Sequence, residues 1–261
     1  MTHAFDHAVV VVPSLAAARQ AFGNAGFTVL PGGRHDAVPT ENALVCFADG
    51  GYLELLATRE PETRDELRQL RASTRWESHL RGVSAVARRF LPVLAGPDGV
   101  ADWVVRSHSI ARDAARLRDA GVAASGPVEM SRERPDGERI AWQLLLSGSP
   151  LHPLRITDRT PRERRVPADE HSTTHANGAT GVAVVHVRAL VVPLAALELG
   201  GTLGVVPALG ESGASVLAFG EWRVELTAGE PAGAFAVTLA GLRQVPPDLA
   251  ALGIRAEVLP G

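Results

Sequence analysis

Apolar residues cluster in short runs separated by turn signals from the start of the chain. Phe5–Val12 is a β-branched stretch closed by Pro13-Ser14, the pattern of a buried strand. Ser14 is placed to cap a helix over Leu15–Phe22, in which Leu15, Ala18 and Phe22 share one face. Gly26 stops that helix, and Phe27–Leu30 returns as a strand into the turn Pro31-Gly32-Gly33. Ala43–Phe47 and Tyr52–Leu56 are two further strands, joined by Asp49-Gly50-Gly51. The order is β-α-β-β-β.

The same order recurs. Ala101–Ser107 predicts a strand and Ser109–Ala120 a helix ended by Gly121, followed by strands at Gly126–Met130, Ile140–Leu146 and Leu151–Thr157. The turn Pro135-Asp136-Gly137 and the loop Ser147-Gly148-Ser149-Pro150 separate these strands. A third module is expected from Gly181–Ala189, a short helix around Pro193–Leu199, and strands Ser215–Phe219 and Trp222–Thr227. A fourth, truncated one has Phe235–Leu239, Pro247–Leu252 and Ile254–Leu259. Residues 60–98 read as a helical insertion, with Leu67, Leu70, Trp76 and Leu80 at helical spacing. Asp158–Asn177 is rich in Arg, Asp and Thr and reads as a linker. The expected division is residues 1–170, carrying two modules at 5–57 and 101–157, and residues 171–261, carrying the other two. The fold class is α+β.

Composition narrows the chemistry. A net charge of -3 leaves no electrostatic footprint for nucleic acid. All 26 basic residues are Arg, so Schiff-base, P-loop and Ser–Lys chemistry are excluded. Cys46 is the single cysteine; it lies in a strand run, predicts an inert small hydrophobe, and leaves the chain compatible with a reducing cytoplasm. The N-terminus reads as neither a signal peptide nor a membrane span.

The β-α-β-β-β repeat with Phe5-Asp6-His7 at its start, Gly32-Gly33-Arg34-His35 and Thr40-Glu41-Asn42 within it, and Tyr52-Leu53-Glu54-Leu55 at its end resembles the vicinal oxygen chelate superfamily, and within it the glyoxalase-like domain family. Pro127–Leu146 and Arg162–Asn177, with its Arg165-Val166-Pro167 run, extend the similarity to about 175 residues. The resemblance implies two modules paired into a cupped half-barrel. It also implies a divalent metal (Zn, Fe, Mn or Ni) held by first-strand and last-strand residues, here His7 and Glu54, and no organic cofactor. Alignment on the helices puts Asp102 opposite His7, giving a His7–Glu54–Asp102 set with open positions, while Thr157 or Arg155 falls opposite Glu54 and is no useful ligand. Two readings stay open. One is a metal-dependent lyase, isomerase or dioxygenase acting on vicinal oxygens; the other is a metal-free protein that binds or sequesters a small molecule.

The remaining candidates follow from residue chemistry. His35 in the glycine-rich loop is the candidate catalytic proton carrier. Arg34 is a candidate carboxylate clamp, and Asn42, Tyr52, Trp103, Trp142 and Arg155 are candidate substrate contacts. His186 and Glu225 echo the ligand pair in the third module; a second metal site there stays open, while the mismatched register favours structural roles. His171 and His175 stand at ligand spacing only if helical, and their Ser/Thr surroundings favour a connecting segment. A small-molecule ligand, no nucleic acid, no membrane and a possible homodimer through the third and fourth modules complete the expectation.

Overall fold

The computed structural model describes residues 3–35, 38–134, 136–210 and 213–257. Pro135 of the predicted turn and Val258-Leu259 of the last predicted strand lie outside the described residues. The first module is β1 (Phe5–Val11), α1 (Leu15–Asn24), β2 (Leu30–His35), β3 (Thr40–Cys46) and β4 (Tyr52–Thr58). Ser14 accepts from Ala17 N at 3.4 Å at the start of α1. Gly26, at φ +83°, turns the chain after it, a conformation that glycine adopts without Cβ strain. The insertion forms α2 (Pro61–Arg71), α3 (Trp76–Gly82) and α4 (Ala85–Leu94). The second module is β5 (Gly99–Arg106), α5 (Ile110–Asp119), β6 (Ala124–Glu133), β7 (Arg139–Ser147) and β8 (Leu154–Asp158).

These eight strands close into a barrel in the order β1-β4-β3-β2-β6-β7-β8-β5. β1 is central: it runs parallel to β4 and antiparallel to β5. Strand alternation sends Ala8 and Val10 outward, while His7 and Val9 face the interior. Each end of the barrel is filled by a different segment. Val86, Phe90, Leu91 and Leu94 of α4 pack on Val9, Leu56, Val104 and the inner residues of β6–β8. At the other end, Val166 packs on Leu44, Cys46 and Tyr52, just after the short helix α6 (Arg162–Arg165). The segment expected to be a solvated linker therefore folds into α6 and α7 (Glu170–Thr173) and delivers a fully engaged arginine, Arg165, to the barrel.

The rest of the chain is β9 (Gly181–Ala189), α8 (Val192–Leu203), β10 (Ala208–Leu209), β11 (Ser215–Ala218), β12 (Arg223–Ala228), β13 (Gly233–Ala240), α9 (Pro247–Ala251) and β14 (Ile254–Ala256). They form one sheet in the order β10-β11-β12-β9-β13-β14. β9 runs parallel to β12 and antiparallel to β13, as β1 does to β4 and β5, so this sheet repeats the barrel's plan without counterparts of β6 and β7. Its Val185, Val187, Leu217, Val224, Leu226 and Val237 join α8, α1 and the outer face of β1, β3, β4 and β5 in one apolar core. The tail of the chain thus covers the outside of the barrel and leaves its interior free. No helix among the described residues is long and apolar enough to cross a membrane.

Candidate functional site

The barrel interior is ionic on the β1–β4 side and, apart from Arg132 of β6, apolar on the β5–β8 side. β5–β8 contribute Val104, Met130, Trp142, Leu144, Leu154 and Ile156, with Phe90 above them. β1–β4 contribute His7, Thr40, Asn42, Tyr52 and Glu54, and β2 adds His35. Between them lies a cavity of about 40 Å3, room for roughly three or four water-sized groups at ~10–15 Å3 each.

Glu54 is the hub. Asn42 Nδ2 donates to its Oε1 at 2.5 Å, His7 Nε2 stands 3.5 Å from Oε2, and His35 Nε2 stands 3.6 Å from Oε1. Burial opposes its charge, but these neighbours prevail and hold its pKa down at about 2. His7 stacks on Tyr52 with ring centroids 4.5 Å apart and holds Asp6 Oδ1 through Nδ1 at 2.7 Å. Burial disfavours the imidazolium, yet Asp6 and Glu54 together raise the His7 pKa above its usual value. His35 engages Thr40 Oγ1 through Nδ1 at 2.9 Å. For it burial wins, with Glu54 opposing and Arg132 and Arg59 adding to the shift, so its pKa is lowered. The two histidines beside one carboxylate are thereby pushed in opposite directions.

Beneath His7 lies an ionic floor that the sequence reading missed. Arg165 Nη1 and Nη2 donate to Asp6 at 2.9 and 3.0 Å; Nε and Nη2 donate to Asp158 at 2.5 and 3.0 Å; Nη1 donates to Tyr52 OH at 2.8 Å. Arg162 also pairs with Asp6. Burial is the largest influence on Asp6, but Arg165 and His7 outweigh it and hold its carboxyl well below the usual range. Asp6 was visible in the sequence as the neighbour of His7. Arg165 stood in the Arg165-Val166-Pro167 run but was given no role, because 159 positions separate it from Asp6.

The other predicted site residues are placed elsewhere. His7 pairs with Val104, and Asp102 pairs with Val9, two residues further along β5. There Arg89 of α4 takes Asp102 with bonds of 2.7 and 2.8 Å. Arg155 pairs with Val105, on the outer side of the barrel, because Leu154 and Ile156 are the inward residues of β8. Thr157 alternates outward with Arg155 and bonds Ser107 O. Trp103 packs outside against Trp222, with centroids 6.2 Å apart. Arg34 lines a separate outer groove with Arg19, Arg59 and Glu41. The wall facing His7 and Glu54 is accordingly Val104, Leu154 and Ile156, which offer no donor to a metal. Among the described residues, no group of three or more His, Cys, Asp and Glu is arranged to hold one. The expected His7–Glu54–Asp102 set is not assembled.

Three further candidates have structural partners. His175 accepts from Thr28 N at Nδ1 and donates to Cys46 O from Nε2, each at 3.0 Å, and so ties the connecting segment to the barrel. His171 is exposed. His186 binds Thr238 Oγ1 at 2.8 Å and lies 3.6 Å from Glu225, with its pKa lowered to about 4, chiefly by burial. Cys46 is buried, which pushes its thiol up to about 12.

Solved structures with the same fold include a hypothetical protein from Staphylococcus aureus, 17% identical over 90% of both chains at a TM-score of 0.69. A xylose isomerase-like TIM barrel/4-hydroxyphenylpyruvate dioxygenase fusion protein is 12% identical over 92% of this chain and 37% of its own, at 0.50. The Mn(II)-bound glyoxalase from Novosphingobium aromaticivorans is 11% identical over 91% and 64%, at 0.46. No curated protein sequence matches the chain. The family model of the glyoxalase-like domain matches residues 5–198, spanning the whole barrel, α6, α7, β9 and the start of α8. With that match and the paired β-α-β-β-β modules, the chain belongs to the glyoxalase-like domain family of the vicinal oxygen chelate superfamily.

Proposed function

We propose that the protein moves a proton at a carbon next to a carbonyl group of a small amphipathic molecule, using His7, Glu54 and His35. The observation that carries this reading is the pair of histidines, each with Nδ1 committed to a neighbour and each with Nε2 turned toward the same buried carboxylate. Groups whose surroundings drive their pKa values apart are suited to opposite ends of a proton transfer. His35, neutral at physiological pH, is the base: with Nδ1–H on Thr40, its Nε2 lone pair is available, and a proton gained there lies beside Glu54. His7, whose imidazolium Asp6 and Glu54 favour from either side, is the acid, and its N–H meets the negative charge that develops on the carbonyl oxygen. Trp142, Phe90, Leu154 and Ile156 hold the apolar part of the ligand and exclude water, which strengthens these interactions. A divalent metal is not part of the reading, because the wall opposite His7 lacks the donors.

The test reads proton exchange itself, whichever product forms. Incubating the enzyme in D2O with a panel of small aldehydes, ketones and oxo acids, followed by proton NMR, measures loss of the α-proton signal. Enzyme-dependent wash-out that disappears in His35→Gln is the expected result. Its absence across a panel whose members bind the cavity would leave a binding or sequestering protein in its place.

A further inference from the structure

We infer that the cup selects a monocarboxylate, and that Arg132 is the residue that recognises it. The inference rests on the proton-transfer reading for its carbonyl, but its main evidence is separate.

Arg132 lies on β6, directly paired with His35 of β2, and its side chain lines the same cavity as His7, His35 and Glu54. It is 3% exposed. One of its nitrogens, Nη2, donates to Arg165 O at 3.2 Å, while Nη1 is buried with no hydrogen-bond partner. A buried guanidinium N–H without an acceptor is costly, and native interiors rarely leave one unsatisfied. The charges around it sharpen the point. Asp6 and Asp158 are matched by Arg165 and Arg162, and Glu54 is flanked by His7. Arg132 makes no ion pair among the described residues. The cup therefore carries one guanidinium with no directly paired carboxylate, Glu54 favouring its charge only from a distance, together with one donor without an acceptor.

Both deficits are met by a single negatively charged oxygen acceptor. One guanidinium without a paired carboxylate suits a monoanion better than a dianionic phosphate. A cavity of about 40 Å3 suits a compact head in which carboxylate and carbonyl are adjacent. Such a head places its carboxylate on Arg132 while the neighbouring carbonyl faces His7 and Glu54, with the apolar remainder against Trp142 and Met130.

The experiment is calorimetric titration of the purified protein with 2-oxobutanoate, its amide and the corresponding 2-oxo phosphonate. The expected result is binding of the carboxylate at least tenfold tighter than of the amide or the phosphonate. That preference should be lost in Arg132→Met and weakened in Arg132→Lys, which keeps the charge but not the planar fork. Histidine NMR titrations of each variant verify that His7 and His35 are still held apart, so that loss of binding is not loss of the site. Amide binding equal to carboxylate binding overturns the inference and leaves the proton-transfer reading standing. Phosphonate preference overturns the choice of carboxylate. Carboxylate binding without α-proton wash-out keeps Arg132 as the recognition residue and removes the proton-transfer role.

Discussion

Replacing Arg165 with Met should destabilise the protein by about 3 kcal/mol, the lower end of the range for breaking a buried ion pair. The lower end applies because Asp6, fully buried, keeps His7 and Arg162 as partners, and Asp158, partly exposed, keeps Arg162. What is lost is the bidentate contact with Asp6, the two bonds to Asp158 and the donor to Tyr52 OH. Urea denaturation at pH 7, comparing midpoints at equal slope, measures the difference. The pH dependence has a definite sign. Asp6 has a lowered pKa, so its contribution is present above the unfolded value near 3.8 and lost as pH falls through the folded one. In Arg165→Met the folded pKa of Asp6 rises, so the gap between the two proteins narrows as the pH is lowered. Adding Asp6→Asn should recover part of the loss, since the stranded charge is removed. A penalty under 1 kcal/mol at pH 7, or a double variant less stable than the sum of the singles, would refute the reasoning and leave the buried Arg165 cluster energetically neutral.

Four shorter expectations follow. Glu54→Gln should lower the His7 pKa toward its usual 6.5, seen by NMR titration of the imidazole, because Glu54 is one of the two groups raising it. Glu54 itself, held at about 2, stabilises the fold above its unfolded value of 4.5 and loses that contribution as pH falls toward 2, so the same variant should flatten the acid limb of the stability curve. Prolonged dialysis against a chelator should leave the melting temperature unchanged, and elemental analysis should find metal on less than about a tenth of chains; a stoichiometric metal lost with the melting temperature would reverse the reading of the Val104 wall. Leu117→Ala, which empties a fully buried position under α5, should cost about 2–5 kcal/mol in chemical denaturation.

The order of elements was readable because the local signals agree with the global fold. Ser14 and Ser109 cap their helices, Gly26 and Gly121 end them at positive φ, and the β-branched runs of β1 and β9 are buried along their lengths. Part of the cavity lining was readable for a different reason: the family resemblance singled out His7 and Glu54, and residue chemistry added His35, Asn42, Tyr52 and Trp142, all of which line the cavity. The second module was harder. Its register against β1 carries irregularities between Phe5 and His7 and between Val9 and Val10, and a helix alignment cannot see them. Placing Asp102 two residues too low, and reading β8 through Arg155 or Thr157 where Leu154 and Ile156 face inward, are the two consequences; in a strand a one-residue slip exchanges the faces. Arg165 and Arg132 escaped because an arginine's role depends on what burial brings to it, and composition gave no reason to single out two from 26.

Because Arg165 and Val166 come after β8, the barrel strands and the bottom of the cup are not synthesised together. A chain released at residue 158 would possess all eight strands, yet Asp6 would face water at an unplugged end and Tyr52 would lose its arginine donor. The smallest piece that keeps the cup closed is therefore longer than the barrel that surrounds it. A piece cut before β9 would also expose the outer faces of β1, β3 and β4 that the final sheet covers. Grafting this cup into another protein would require carrying the trailing segment along with it.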